Sequence, residues 1–206
     1  MIAIVDYKAG NLTSVKRALD HLGLANCVTP DPAVVARAER IIFPGVGHAG
    51  SAMAVLRERG LDLALRRAFE AGTPILGTCV GAQIILAHSE EGDTACLGLL
   101  PGDCVRFRPS DPALKIPHMG WNNVYLTQAH PVLRGVADGS QFYFVHSFYL
   151  RPDDPTDIYA TSEHGVTFPA VIGRRNLLAT QFHSEKSGAA GLAILRAFAD
   201  WDGAPC

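Results

Sequence analysis

The segment Gly77-Thr78-Cys79-Val80-Gly81 constrains this chain more than any other. It follows the apolar run Pro74-Ile75-Leu76 and precedes a helical pattern over residues 82–88. A cysteine with glycine two positions before and two positions after, between a strand and a helix, has the form of a nucleophile elbow with sulfur in place of oxygen. Such a turn is crowded, and glycine removes the Cβ atoms that would clash. The thiol then stands at the carboxyl end of a strand, with the N-terminus of the next helix directed at it, which favours the thiolate. A fold that accepts this unit has strands followed by helices, that is, an α/β fold.

The rest of the first half agrees. Residues 2–6, 25–28, 40–43 and 73–76 read as buried strands, the third stopped by Pro44-Gly45. Helical spacing of Leu12, Val15, Leu19 and Leu22 predicts a helix capped by Asn11 and ended by Gly23. Residues 32–38, 49–59 and 61–71 read as further helices, the last two separated by Gly60. Strands alternating with helices imply parallel pairing with helices on both faces. Ligands of such sheets gather beyond the carboxyl ends of the strands. The second half changes character. Residues 104–107, 123–126, 141–150, 157–162, 170–173 and 177–181 are strand candidates joined by short turns, so an antiparallel or mixed portion is expected there. A final helix is expected over 189–201.

With 206 residues and no linker or repeat, a single domain over 1–206 is expected. A net charge of −2 gives no basic excess for nucleic acid, and the apolar runs are too short to span a bilayer. The chain starts directly on Ile2-Ala3-Ile4-Val5, so no signal peptide is expected. Five cysteines, without a C-x-x-C pair, point to reduced thiols in the cytoplasm and to no metal site. Cys27, Cys96 and Cys104 read as small buried apolar residues, and Cys206 as a loose terminus.

Cys79 needs a base. Of eight histidines, His183 stands out because it leaves the apolar stretch 177–182 and is followed two positions later by Glu185. An imidazole there can bond a thiol at one nitrogen and a carboxylate at the other, which suggests a Cys79–His183–Glu185 hydrolytic triad. An exposed turn is the plainer alternative for His183. Attack on an amide creates an oxyanion that needs two donors. One is the N–H of Val80; the other is sought in the loop Phe43-Pro44-Gly45-Val46-Gly47, whose glycines leave N–H groups uncovered.

These residues carry a resemblance. Asp6 with Ala9-Gly10-Asn11-Leu12, Pro44-Gly45-Val46-Gly47, the elbow through Ala82-Gln83, Ser89-Glu90-Glu91, Pro117-His118-Met119-Gly120-Trp121-Asn122, Phe142-Tyr143-Phe144-Val145-His146-Ser147 and Gln181 to Gly188 together resemble the class I, triad-type glutamine amidotransferases. Within them the match is to the glutaminase subunits that serve histidine biosynthesis, and it runs nearly end to end. The resemblance implies a flavodoxin-like, largely parallel sheet and hydrolysis of glutamine to glutamate and ammonia by Cys79, His183 and Glu185, without a cofactor. It implies an oxyanion hole from Val80 with Gly45, Val46 and Gly47, and a glutamine pocket lined by Gln83, Glu91, His146 and Ser147. Its expected partner is a (β/α)₈ barrel cyclase subunit, in a heterodimer, to which ammonia passes, giving imidazole glycerol phosphate and aminoimidazole-carboxamide ribotide. Asn11, Tyr143 and Lys186 would face that partner, and a peptide flip at Gly45-Val46 would switch the glutaminase on.

The length agrees with a partner, since no residues remain for an ammonia-consuming domain. Thr78, Val80, Ala82 and Ser184 depart from the family's usual isoleucine or valine, leucine, methionine and proline, and Ser184 releases a restraint beside His183. The competing expectations are a glutaminase subunit of another synthase, such as pyridoxal phosphate synthase, a related cysteine hydrolase, and a non-catalytic relative.

Overall fold

The computed structural model describes residues 1–8 and 10–204; the Ala9 member of the first motif and the expectation of a loose end at Cys206 lie outside the described residues. In chain order the first half gives β1 (Ile2–Val5), α1 (Leu12–His21), β2 (Asn26–Thr29), α2 (Pro32–Ala36), β3 (Arg40–Gly45), α3 (Ala49–Glu58), α4 (Leu61–Glu70), β4 (Ile75–Cys79) and α5 (Val80–Ile84). The second half gives β5 (His88–Ser89), β6 (Thr94–Ala95), β7 (Gly102–Arg106), β8 (His118–Leu126), β9 (Ser140–His146), β10 (Phe148–Pro152), β11 (Ile158–Glu163), β12 (Thr167–Arg174), β13 (Leu177–Thr180) and α6 (Gly188–Asp200).

Nine strands form the central sheet in the order β2-β1-β3-β4-β13-β12-β11-β8-β9. The first five are parallel and the remainder antiparallel, as the change of pattern along the chain implies. Period-two alternation divides each central strand between two cores. Ile41, Phe43, Ile75, Leu177 and Ala179 pack beneath α2, α3, α4 and α5. Ile42, Leu76 and Leu178 pack beneath α1 and α6 on the other face. A short second sheet, β10-β7-β5-β6, flanks the elbow helix.

Five local expectations are corrected. Pro44-Gly45 does not stop β3: Pro44 pairs with Thr78 and Gly45 with Cys79. Proline is tolerated because the β1 partnership ends at Ile42, which leaves its missing N–H on an unpaired side. The helix after Cys79 spans Val80–Ile84 only, and His88 joins a strand, because Leu97 and Leu99 return to cap the Ile84 and Ile85 carbonyls. Residues 141–150 are two strands in two sheets, broken at Ser147. β8 starts at His118, five residues before the expected position, since its polar and glycine residues hide a strand paired along its length with β9. Cys27 is half-buried rather than buried, whereas Cys96 and Cys104 are buried.

Candidate active site

Parallel order brings the carboxyl ends of β3, β4 and β13 together, and the site lies there. Cys79 holds φ 53° and ψ −114°, a conformation costly for a side-chain-bearing residue and maintained by pairing with Gly45. Close packing explains the glycine at 81: a Cβ there would stand 2.0 Å from the Phe43 carbonyl oxygen. Val80 and Gly81 open α5, so the first-turn N–H groups have no intrahelical acceptor.

β13 lies beside β4 with Thr180 opposite Thr78, which delivers the following turn to the elbow. Phe182 anchors that turn by stacking on Phe142 at 4.0 Å. The His183 N–H donates to Tyr143 O at 3.0 Å, and the Ser187 hydroxyl donates to His183 O at 2.6 Å. His183 Nδ1 lies 2.9 Å from Glu185 Oε1. A carboxylate only accepts, so the proton sits on Nδ1 and Nε2 is left for the hydrogen bond with Cys79. Burial by itself pushes the imidazole down; hydrogen bonds to Cys79 and Glu185, with their negative charges, raise it to about 10. Burial raises the Glu185 carboxyl, but the His183 contact and a hydrogen bond from Asn11 bring it below its ordinary value. The arrangement holds a protonated imidazole between the Cys79 sulfur and a carboxylate.

Cys79 and His183 open on a cavity of about 320 Å³. Val46, Gly47, Gln83, Glu91, His146 and Ser147 also line it. Val46 and Gly47 (φ 104°) therefore stand on the wall of the same cavity as the sulfur. Gly45 is different: it is a rung of β3, and a Cβ on it would come 2.2 Å from the Tyr7 hydroxyl and 2.6 Å from the Gly81 nitrogen. Gly45 thus packs beneath the elbow, directly before the two loop residues that line the cavity. Tyr7 donates its hydroxyl to Pro44 O at 2.6 Å, and burial, reinforced by nearby Cys79, keeps the phenol protonated.

The expected pocket residues differ in what they offer. The Gln83 amide donates to Phe148 O at 3.0 Å. Glu91 is in a turn, not at a helix end, and one carboxylate oxygen accepts from Ala49 N at 2.7 Å. Among the described residues its other oxygen has no hydrogen-bond partner. Both ring nitrogens of His146 are committed, to Phe148 O and to His118, so its ring gives a ligand no free polar atom. The ring is therefore a wall of the cavity, where it stands with Gln83, Glu91 and Ser147.

Of the three expected partner-facing residues, Lys186 is exposed, lines the cavity and lies 6.0 Å over the half-buried Tyr143 ring. Asn11 is not on the surface: it is 4% exposed and its amide reaches Glu185 instead of capping α1. The sequence motif over 117–122 includes Met119 and Trp121 but gives them no role; they are 63% and 55% exposed on β8, Trp121 against Tyr143. It likewise gives no role to the side chains of His118 and Asn122 on the opposite, inner side. Period-two alternation from 118 to 122 is the signal that separates the two pairs. Among the described residues, no group of histidine, cysteine and carboxylate side chains is arranged to hold a metal ion.

The profile of the family described as "Glutamine amidotransferase class-I" matches residues 3–200. "Imidazole glycerol phosphate synthase subunit HisH" of Nitratidesulfovibrio vulgaris (strain Miyazaki F) is 49% identical over 203 residues, covering 96% of this chain and 95% of its own length. The protein of the same name from Chromobacterium violaceum is 46% identical over 209 residues, covering 98% of each. Among solved structures, a crystal structure of a glutamine amidotransferase superposes with a TM-score of 0.76 at 19% identity, covering 97% of this chain and 98% of that one. PurLQS from Thermotoga maritima gives 0.76 at 18% identity, covering 97% of each. At these identities the two structures speak to the fold, and it is the same α/β fold.

Proposed function

The chain belongs to the class I glutamine amidotransferases, and from that membership we propose that it is the glutaminase subunit of an imidazole glycerol phosphate synthase. The whole of residues 1–206 forms one glutaminase domain, acting in the cytoplasm. The observation that carries the reading is the imidazole of His183, held between Glu185 and Cys79 at the wall of a cavity large enough for one amino acid.

The Cys79 thiolate attacks the side-chain amide carbon of glutamine, forming a C–S bond. The oxyanion is met by the Val80 N–H and by an N–H of the Val46-Gly47 loop. His183 gives its Nε2 proton to the departing nitrogen, so ammonia leaves and a glutamyl thioester remains. His183 then takes a proton from water, hydroxide adds to the thioester, and glutamate departs as the thiolate is regenerated. Glu185 keeps the ring oriented throughout. The free oxygen of Glu91 receives the substrate ammonium, and Gln83 and Ser147 bound the other end.

The partner is a (β/α)₈ barrel cyclase, bound as a heterodimer over the surface that carries Met119, Trp121, Tyr143 and Lys186. That surface adjoins the cavity through Lys186 and Pro117, giving ammonia a short path away from solvent. The cyclase would incorporate it into imidazole glycerol phosphate and release aminoimidazole-carboxamide ribotide. The test is to supply glutamine labelled with ¹⁵N in its amide, with and without the cyclase and its nucleotide. Label in the imidazole product with stoichiometric glutamate supports the reading. Glutamate release indifferent to the cyclase, with no transfer of label, points to a free-standing hydrolase.

A further inference from the structure

His118 and His146 stand opposite one another in the β8–β9 register, both buried. Their partners leave one arrangement of protons. His146 Nδ1 is 2.8 Å from Phe148 O, which only accepts, so Nδ1 carries the hydrogen. His146 Nε2 is then a bare acceptor, and it is 2.9 Å from His118 Nδ1, which must donate. His118 Nε2 becomes an acceptor in turn and receives Asn122 Nδ2 at 3.1 Å. The Asn122 amide cannot turn round: its Nδ2 also donates to Glu163 O at 2.8 Å, and its Oδ1 accepts Asn123 N at 2.8 Å. At the inner end, Phe148 O also accepts the Gln83 amide at 3.0 Å. Ser147, on the cavity wall, lies between His146 and Phe148.

We propose that His118 is a positioning residue for the glutamine site. Its Nδ1–H fixes His146 as the Nδ1–H tautomer; His146 then holds the Phe148 carbonyl, and that carbonyl holds Gln83 and the Ser147 backbone against the cavity. The role rests on the reading of this cavity as the glutamine site. Without the His118 donor, His146 Nε2 is an unpaired acceptor among the rings of Phe107, Phe144 and Phe168, at 5.2, 5.5 and 5.3 Å. Moving the proton to Nε2 does not solve this, since a bare Nδ1 would then face the Phe148 carbonyl oxygen and expel it. Burial pushes the rings down, to about 4 for His118 and about 3 for His146, so both remain neutral at pH 7 and the relay is intact there.

The test compares the full-length wild type with His118→Phe, which removes the donor, and His118→Asn, whose side-chain N–H stands where Nδ1 stood. The readouts are the His146 tautomer, from ring ¹⁵N shifts, and saturation of Cys79 labelling by a glutamine-mimicking electrophile. The wild type is expected to show Nδ1–H on His146. His118→Phe should mix the tautomers and raise the half-saturating concentration about ten-fold, with the maximal rate within about three-fold. His118→Asn should restore both. An Nε2–H tautomer in the wild type overturns the proposal whatever the variants do. So does a His118→Phe protein that saturates like the wild type, or a His118→Asn protein as impaired as His118→Phe. A wild type in which the electrophile never marks Cys79 overturns instead the glutaminase reading, and this role with it.

Discussion

Asn11 Nδ2 donates to Glu185 Oε1 at 3.0 Å, the same oxygen that faces His183 Nδ1 at 2.9 Å. The two residues are 174 positions apart in the chain. Their contact ties the start of α1 to the turn after β13. The Glu185 side chain is almost fully buried and its second oxygen has no side-chain partner, so the Asn11 amide is the neutral donor that adds to His183 in keeping this carboxylate charged. Asn11→Ala should lower glutaminase kcat about ten-fold with little change in KM, the loss of one charge-assisted hydrogen bond. Glu185 would bind its proton more readily, so His183 should titrate below its present value of about 10. Steady-state kinetics with an NMR titration of His183 check both.

Gly81→Ala should destroy the elbow. Its Cβ would overlap the Phe43 carbonyl oxygen at 2.0 Å, and that backbone lies within the β3–β4 ladder and has nowhere to move. The expected cost is about 3 kcal/mol or a non-native elbow, and urea unfolding measures it. Gly47→Ala, with open space where its Cβ would go but φ 104°, should be milder in stability and affect turnover instead.

Ser184→Pro should stabilise the protein. Ser184 heads the 3₁₀ turn Ser184–Lys186, where a proline φ is accommodated, and its buried hydroxyl has no hydrogen-bond partner. The gain should be about 0.5–1 kcal/mol from the stiffer unfolded chain, with kcat within about two-fold, since the His183 N–H and carbonyl contacts do not involve the Ser184 N–H. Thermal unfolding and kinetics of the one variant decide it.

Acid should unfold the protein with a slope set by buried neutral histidines. Burial lowers His118 and His130 to about 4 and His146 to about 3. An unfolded histidine titrates near ~6.5, so between these values the unfolded chain binds more protons, and stability is lost as pH falls from about 6.5 toward 3. His183 is shifted the other way and is protonated in both states below about 6.5. Its contribution is complete there, adds nothing to the acid slope, and fades only as pH rises toward about 10. His130 accepts Val132 N at 3.1 Å, a bond that asparagine can replace, though not the ring contacts with Tyr159 and Trp201. His130→Asn should therefore cut the acid slope by about a third between pH 7 and 5, above the range where the lowered carboxylates add to it, as read from urea midpoints.

What was legible in the chain follows from how local each signal is. Gly77, Cys79 and Gly81 specify their turn within five residues, so the elbow was readable with its glycine logic. Alternation of apolar strands and amphipathic helices marked the parallel half in the same way. β8 was half hidden because its inner residues, His118, Gly120 and Asn122, are polar or small, and the two side chains are satisfied by bonding to one another and to His146. The same holds for Asn11: as a residue before a helix it reads as a cap, and only the fold, which brings it to Glu185, gives it another partner. Gly45 reads as part of a loop because a proline precedes it, and nothing local indicates that it pairs with Cys79.

The most direct test replaces the sulfur. Cys79→Ala removes the nucleophile while leaving the Gly81 packing and the β3–β4 ladder intact. Incubated with the cyclase, its nucleotide and glutamine, the variant should release no glutamate above background, and its His183 should titrate well below the wild-type value of about 10. Glutamate release at the wild-type rate from the folded variant would contradict the account.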